Sequence, residues 1–376
     1  MLNLESIPIL DHHAHAVFHE AHWRSTPLEP YFTESYDPAQ LLHTPYNLFY
    51  QRSIRALASF YQCDASAAAL LEARRGWDYL ELNRAFFKAA NIERVLIDDG
   101  IWVDRLWSVA ECAEHLPIPV QRVVRIESEL ALEVQNADSA KVLLERLESR
   151  LRSAMTTAVS LKSIIAYRTG LEIARHTPAA LETAFADFKR TTPSSLRVDR
   201  KPLLDAALLI GLRVAHETGK PIQFHTGYGD PDLDLRLANP LHLRPIFEDK
   251  NLRGVNVVML HCYPFLREAG YLAASYPGAY LDLGLTIPHA STQGMLSAAR
   301  EAMHLAPLTK VLFSTDAQRS AELFWLAAGQ GRRVLGMVLG EAIIDGDLTP
   351  AQAQWAAERV LRGNAAELYA DATNHS

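Results

Sequence analysis

Asp11-His12-His13-Ala14-His15 closes a short apolar run, Ile7-Pro8-Ile9-Leu10, and carries two imidazoles two residues apart. On an extended chain successive side chains alternate in direction, so His13 and His15 point one way and His12 the other. Two converging imidazoles suit a borderline cation such as zinc, with Asp11 placed to orient a ligand. Further donors follow in order: Lys162, His225, His261 and Asp316, each near the end of its own β-like run. Taken singly, His225 or His261 reads as a core histidine and Asp316 as a helix cap. Taken together they call for one explanation, a shared metal centre. Such a centre lowers the pKa of a bound water from 15.7 to about 7 and polarises the bond that is attacked.

Eight runs must position these groups: 7–11, 94–98, 120–126, 159–164, 221–225, 255–261, 279–285 and 310–314. Each is β-branched or apolar and is followed by a helical stretch, the pattern of βα units around a parallel sheet. The clearest junction is 202–216, helical in spacing, with Gly219 as its stop before the fifth run. The expected fold is α/β, a (β/α)8 TIM barrel, where catalytic groups gather at the carboxyl ends of the strands. Residues 1–376 read as one such barrel, with 16–92 as a helical lid inserted after the first strand, since a βα loop usually needs only about 2–6 residues. The lid aromatics, among them Trp23, Tyr46, Phe49, Tyr50, Phe60, Tyr61 and Trp77, are expected to pack against the barrel. The stretch 322–369 reads as helical and closes the outer ring.

Composition narrows the partners. Apolar residues make up 49% and charged residues 22%, a balance suited to a folded core. A net charge of -7 without a basic face argues against nucleic acid and for a small-molecule substrate. Cys63, Cys112 and Cys262 form no CxxC pair and suggest no disulfide framework. There is no signal-like N-terminus and no run near the ~20 apolar residues that span a bilayer, so a cytoplasmic protein without membrane contact is expected. A homo-oligomer is compatible with all of this.

The order of strand-one HxH, strand-four Lys, strand-five His, strand-six His and strand-eight Asp resembles the amidohydrolase superfamily, over nearly the whole chain. More narrowly, Leu161-Lys162-Ser163-Ile164-Ile165-Ala166-Tyr167-Arg168, His261-Cys262-Tyr263-Pro264 with Arg267-Glu268-Ala269, and Ser314-Thr315-Asp316-Ala317 resemble amidohydrolase domains linked to glutamine-synthetase-like enzymes. The resemblance implies a metal held by His13, His15, Lys162, His225, His261 and Asp316, with one or two divalent ions (zinc, or manganese, cobalt or iron) per chain. It also implies that carbon dioxide carboxylates Lys162 into an anionic bridging ligand. A bare ammonium offers a cation no acceptor, whereas a carbamate offers two oxygens. The competing state of Lys162 is an ion pair with an acid such as Glu127.

Asp316 is the expected general base, with His261 as the catalytic partner if one metal is bound. Substrate contacts are expected from Tyr167 and Arg168, and by resemblance from Tyr263, Arg267 and Glu322; for the charged residues, solvated ion pairs are the competing account. The expected activity is hydrolysis of a C–N amide bond, other than a peptide bond, in a small carboxylate-bearing substrate, with a γ-glutamyl amide favoured by the resemblance. The alternatives are a one-metal isomerase or decarboxylase, or a non-catalytic barrel that partners a glutamine-synthetase-like ligase.

Overall fold

A computed structural model describes residues 2–191 and 196–370. Eight parallel strands follow one another around the sheet in chain order. They are β1 (Ile9–Ala14), β2 (Ile92–Asp98), β3 (Val120–Arg125), β4 (Ser160–Ser163), β5 (Ile222–Thr226), β6 (Val257–His261), β7 (Ala279–Asp282) and β8 (Val311–Leu312). Every expected run overlaps one of them, with ends shifted by a few residues. The circle closes between the chain after β8 and β1: the Asp316 amide donates to the His13 carbonyl at 3.1 Å, and the His15 amide to the Ala317 carbonyl at 2.8 Å. The Asp11 carboxylate reinforces this seam by accepting from the Thr315 amide at 2.9 Å and from the Thr315 hydroxyl. Asp11 therefore positions the neighbour of Asp316 rather than a histidine.

Strand periodicity divides the core into two layers. Val257 and Met259 join the large apolar cluster between strands and helices, while Val258 and Leu260 turn inward with Leu10, Leu96, Val123, Val159 and Leu312. Tyr369, from the end of the helical C-terminal segment, plugs this inner cluster. Its hydroxyl accepts from Gln223 Nε2 at 2.8 Å and lies 3.2 Å from His12 Nδ1. His12 Nε2 in turn lies 3.1 Å from Asp282 Oδ1. The expectation that His12 faces away from the site is corrected here: β1 changes register between Asp11 and Ala14. That irregularity lets His12, His13 and His15 all serve the barrel interior, His12 in a polar layer beneath the other two.

Between β1 and β2 lie the helices Glu20–Ser25, Pro38–Leu41, Leu48–Tyr61, Ala67–Arg75 and Tyr79–Ala90, with two short 3-10 turns. Trp23, Phe49, Tyr50 and Tyr61 are buried, as expected of packing aromatics, whereas Tyr46 is 82% exposed. Tyr79–Ala90 starts at Asp78, whose side chain accepts from the Glu81 amide, and packs on the long helix Ala321–Ile344 in the outer ring. Among the described residues no helix is long and apolar enough to cross a membrane.

Arg332, buried on that long helix, ties the strand starts together. Its guanidinium donates to the carbonyls of Ile7, Ala90 and Asn91 at 2.8 to 3.1 Å. Removing a hydrogen-bond partner from buried groups costs about 1–3 kcal/mol for each group left unsatisfied. Arg332→Met is thus expected to lose at least that much stability, read as a lower denaturant midpoint with an unchanged slope; an unaltered midpoint would exclude the anchoring role.

Candidate metal centre

Three imidazole nitrogens converge on one carboxylate at the mouth of the barrel. His13 Nε2 lies 3.2 Å and His15 Nε2 3.7 Å from Asp316 Oδ1, and His261 Nε2 lies 3.7 Å from Asp316 Oδ2. Partners on the far side of two rings set their tautomers. His13 Nδ1 is 2.9 Å from Gln223 Oε1, and His15 Nδ1 is 2.9 Å from the Asp98 carbonyl, both acceptors, so each Nδ1 carries the proton. The Nε2 lone pairs then face the carboxylate, and Asp316 Oδ1 is buried without a donor. Acceptors opposed in this way repel unless a cation lies among them, and the donor set of imidazole and carboxylate suits a divalent metal. Among the described residues two groups place ligand atoms within 4.8 Å of one another, His13 with His261 and Asp316, and His13 with His15 and Asp98.

Burial favours the neutral, ligating form of these rings. It holds His13 and His261 well below the usual histidine range, aided at His13 by Lys162, and lowers His15 as well. The backbone is bent to the same end: His261 and Asp316 have φ of 69° and 48°, in the left-handed region that non-glycine residues seldom adopt.

Lys162 sits in the same layer, 1% exposed, with Nζ 3.4 Å from His13 Nε2. Burial pulls its ammonium down to about 8. Glu127, its competing partner, is instead hydrogen-bonded by the Ser163 hydroxyl at 2.6 Å and the Ile164 amide at 3.0 Å. His225 enters differently. Its ring centroid is 4.6 Å from that of His261, but Nε2 lies 3.1 Å from the Tyr228 carbonyl and Nδ1 lies 3.4 Å from the Tyr167 hydroxyl. His225 therefore lines the site with its nitrogens turned from Asp316. The turn after it needs glycine: Gly227 has φ 68°, and an added Cβ would collide with the Tyr263 carbonyl oxygen.

A cavity of about 480 Å³ opens above these groups. Tyr167 and Arg168 line it, in keeping with the sequence. Three other expected substrate residues do not. Arg267 is on the outer face of Leu266–Ser275, its side chain 75% exposed and paired with Glu301 at 3.1 Å. Tyr263 is 43% exposed and outside the cavity lining. Glu322 is buried and accepts from Arg74 Nε at 2.7 Å and the Tyr61 hydroxyl at 2.6 Å, so it anchors the segment after β1 to the long helix.

Motif reading missed several groups at and beneath the cavity. Asp98 and Arg125 form a buried pair at 2.6 Å, and although burial opposes the charge, Arg125 holds the Asp98 carboxyl well below the usual range. Glu34 and Arg319 line the wall, and burial pushes the Glu34 carboxyl up to about 7. Asp98 and Arg125 end their strands and could have been found by strand register. Glu34 lies in irregular chain with no spacing signal.

Residues 188–370 match the amidohydrolase family model. The same ordering of donors appears on an eight-stranded barrel, and the whole chain superposes on a solved relative: a protein of Lactobacillus casei assigned as a metal-dependent hydrolase, 28% identical, covering 99% of this chain and 98% of that one, with a TM-score of 0.87. The chain is thus similar to the amidohydrolase superfamily, by the family model over its C-terminal half and by its fold throughout. Protein fluG of Emericella nidulans is 31% identical over 97% of this chain, which spans 46% of that relative's length. The uronate isomerase of Thermotoga maritima shares the fold at 13% identity, with a TM-score of 0.64 and coverage of 97% and 95%.

Replacing His13 and His15 together with alanine is expected to abolish metal binding and leave a folded barrel, because both ligands stand at the mouth of the barrel. Metal analysis beside circular dichroism reads this; wild-type metal content in the double variant would exclude these ligands.

Proposed function

We propose that the chain hydrolyses the C–N amide bond of a small carboxylate-bearing substrate, a γ-glutamyl amide being the favoured case. The observation that carries this reading is the set of imidazole lone pairs opposed to the Asp316 carboxylate beside a buried lysine. His13, His15, His261 and Asp316 would hold one metal, and a carboxylated Lys162 with His225, after its ring turns, would complete a second. When bound, the metal supplies an activated water and polarises the substrate carbonyl.

The chain's own residues do the rest. Asp316, 10% exposed at the cavity floor, accepts the proton of the attacking water and returns it to the departing nitrogen. The Tyr167 hydroxyl, beside His225, and the Arg168 guanidinium line the side from which a carbonyl or carboxylate would approach. The segment 16–92 acts as a lid, since Pro30, Glu34 and Tyr36 on it form one wall of the cavity. The γ-glutamyl preference rests on the motif resemblance around Lys162, His261 and Asp316.

Two experiments test the reading. Asp316→Asn keeps the shape and removes the proton acceptor, so kcat for amine release from γ-glutamyl amides should fall by about 100-fold or more, with a smaller loss of metal. Unchanged kcat at full metal occupancy would remove Asp316 from the role of base. Carboxylation of Lys162 needs the neutral amine, so labelled carbon dioxide uptake should rise as pH passes about 8. Lys162→Ala should lower metal stoichiometry and turnover, and a short carboxylic acid in the buffer should restore part of both. One fully occupied metal beside an unmodified lysine in active enzyme would favour the one-metal isomerase or decarboxylase chemistry instead.

A further inference from the structure

The wall of the cavity facing the metal ligands carries two opposite charges that do not pair with each other. Arg319 is 9% exposed, and its Nε is buried without a hydrogen-bond partner. The guanidinium stands 5.2 Å from the Trp102 ring centroid and 5.8 Å from that of Tyr31, so aromatic faces hold it in place without satisfying its donors. Its backbone amide donates a hydrogen bond to the Ala16 carbonyl at 2.9 Å. Glu34, across the same cavity, approaches only the His289 ring, at 3.7 Å, among the described cations. A buried arginine left without acceptors is costly, and the cost is relieved when a ligand carboxylate accepts from its planar fork.

The other charged groups nearby are already engaged. Arg125 is bound by Asp98, and Asp232 takes Arg197 at 2.5 Å and the Tyr36 hydroxyl at 3.0 Å. Arg168 donates to the Tyr167 carbonyl at 3.3 Å and is the more exposed cation. Asp230 accepts from the Asp232 amide at 3.0 Å, on the side of Arg168 and Arg197, so Arg319 and Glu34 remain as an acceptor-seeking cation and a carboxyl without an arginine or lysine partner in one chamber.

We propose that Arg319 and Glu34 together read the head of an α-amino acid, Arg319 binding its carboxylate and Glu34 its ammonium, while the remainder of the substrate extends to Asp316. The inference rests on the proposed hydrolase reading only for where the scissile bond lies. Neither residue touches the reacting atoms, so both set specificity.

Calorimetric binding to the full-length, metal-loaded protein separates the two contacts. The probes are L-glutamate, glutarate, which lacks the ammonium, and 4-aminobutyrate, which lacks the α-carboxylate. Wild type is expected to bind L-glutamate about tenfold or more tighter than either analogue. Arg319→Gln should weaken L-glutamate and glutarate and leave 4-aminobutyrate unchanged. Glu34→Gln should weaken L-glutamate and 4-aminobutyrate and leave glutarate unchanged. Thermal midpoint and metal content accompany each variant, and if Arg319→Gln disturbs either, Arg319→Lys supplies the same comparison, because an ammonium cannot make the bidentate contact. Equal affinity for the three probes, no binding of L-glutamate, or variants that lose all three alike would overturn the proposal. Failure of the hydrolase reading looks different: the binding pattern persists while γ-glutamyl amides release no amine.

Discussion

Lone pairs turned toward a carboxylate are the constraint on which the rest of this molecule depends. His13 and His15 each use Nδ1 on an acceptor behind the ring, Gln223 and the Asp98 carbonyl, and so present Nε2 as a base to Asp316. With the rings neutral, Nε2 and the carboxylate oppose one another as acceptors, a geometry that a divalent cation satisfies at once. Much of the surrounding structure holds the opposed acceptors in place. Asp11 fixes Thr315, Asp98 is clamped by Arg125, and Gln223 is itself oriented by the Tyr369 hydroxyl and the His12 carbonyl, each at 2.8 Å.

The barrel is layered along its axis. An apolar plug closes the bottom, a polar network of His12, Gln223, Asp282 and Tyr369 lies above it, and the ligands come last. Each step up exchanges packing for hydrogen bonding, so the ligands rest on a floor that cannot shift without breaking buried bonds. Tyr369 is drawn into this floor from the far end of the chain. One part of the wall above is supplied by chain between β1 and β2, anchored through Glu322 to Arg74 and Tyr61, so the chamber and the long helix Ala321–Ile344 are mechanically joined.

Eight strands and five metal-ligand candidates were legible because both signals are local. A buried parallel strand is an apolar run, and a ligand at its carboxyl end follows that run directly, as His225 follows Phe224 and His261 follows Leu260. Lys162 was legible for the same reason. The orientation of His12 was not, because it depends on a register change in β1 that alternation alone does not reveal. Arg267 and Glu322 were misplaced because a charged residue near a motif can face either the cavity or a neighbouring helix, and only packing decides which.

The sequence by itself determined the order of donors around the barrel and the apolar spacing that makes them neighbours. Those properties need only strand period and chain order. Tertiary structure alone decided which nitrogen of each histidine faces Asp316, that Asp98 is held charged by Arg125, and that Glu34 and Arg319 share a chamber without pairing. Each of these is a relation between side chains distant in sequence, set by burial and hydrogen-bond partners that no local pattern encodes.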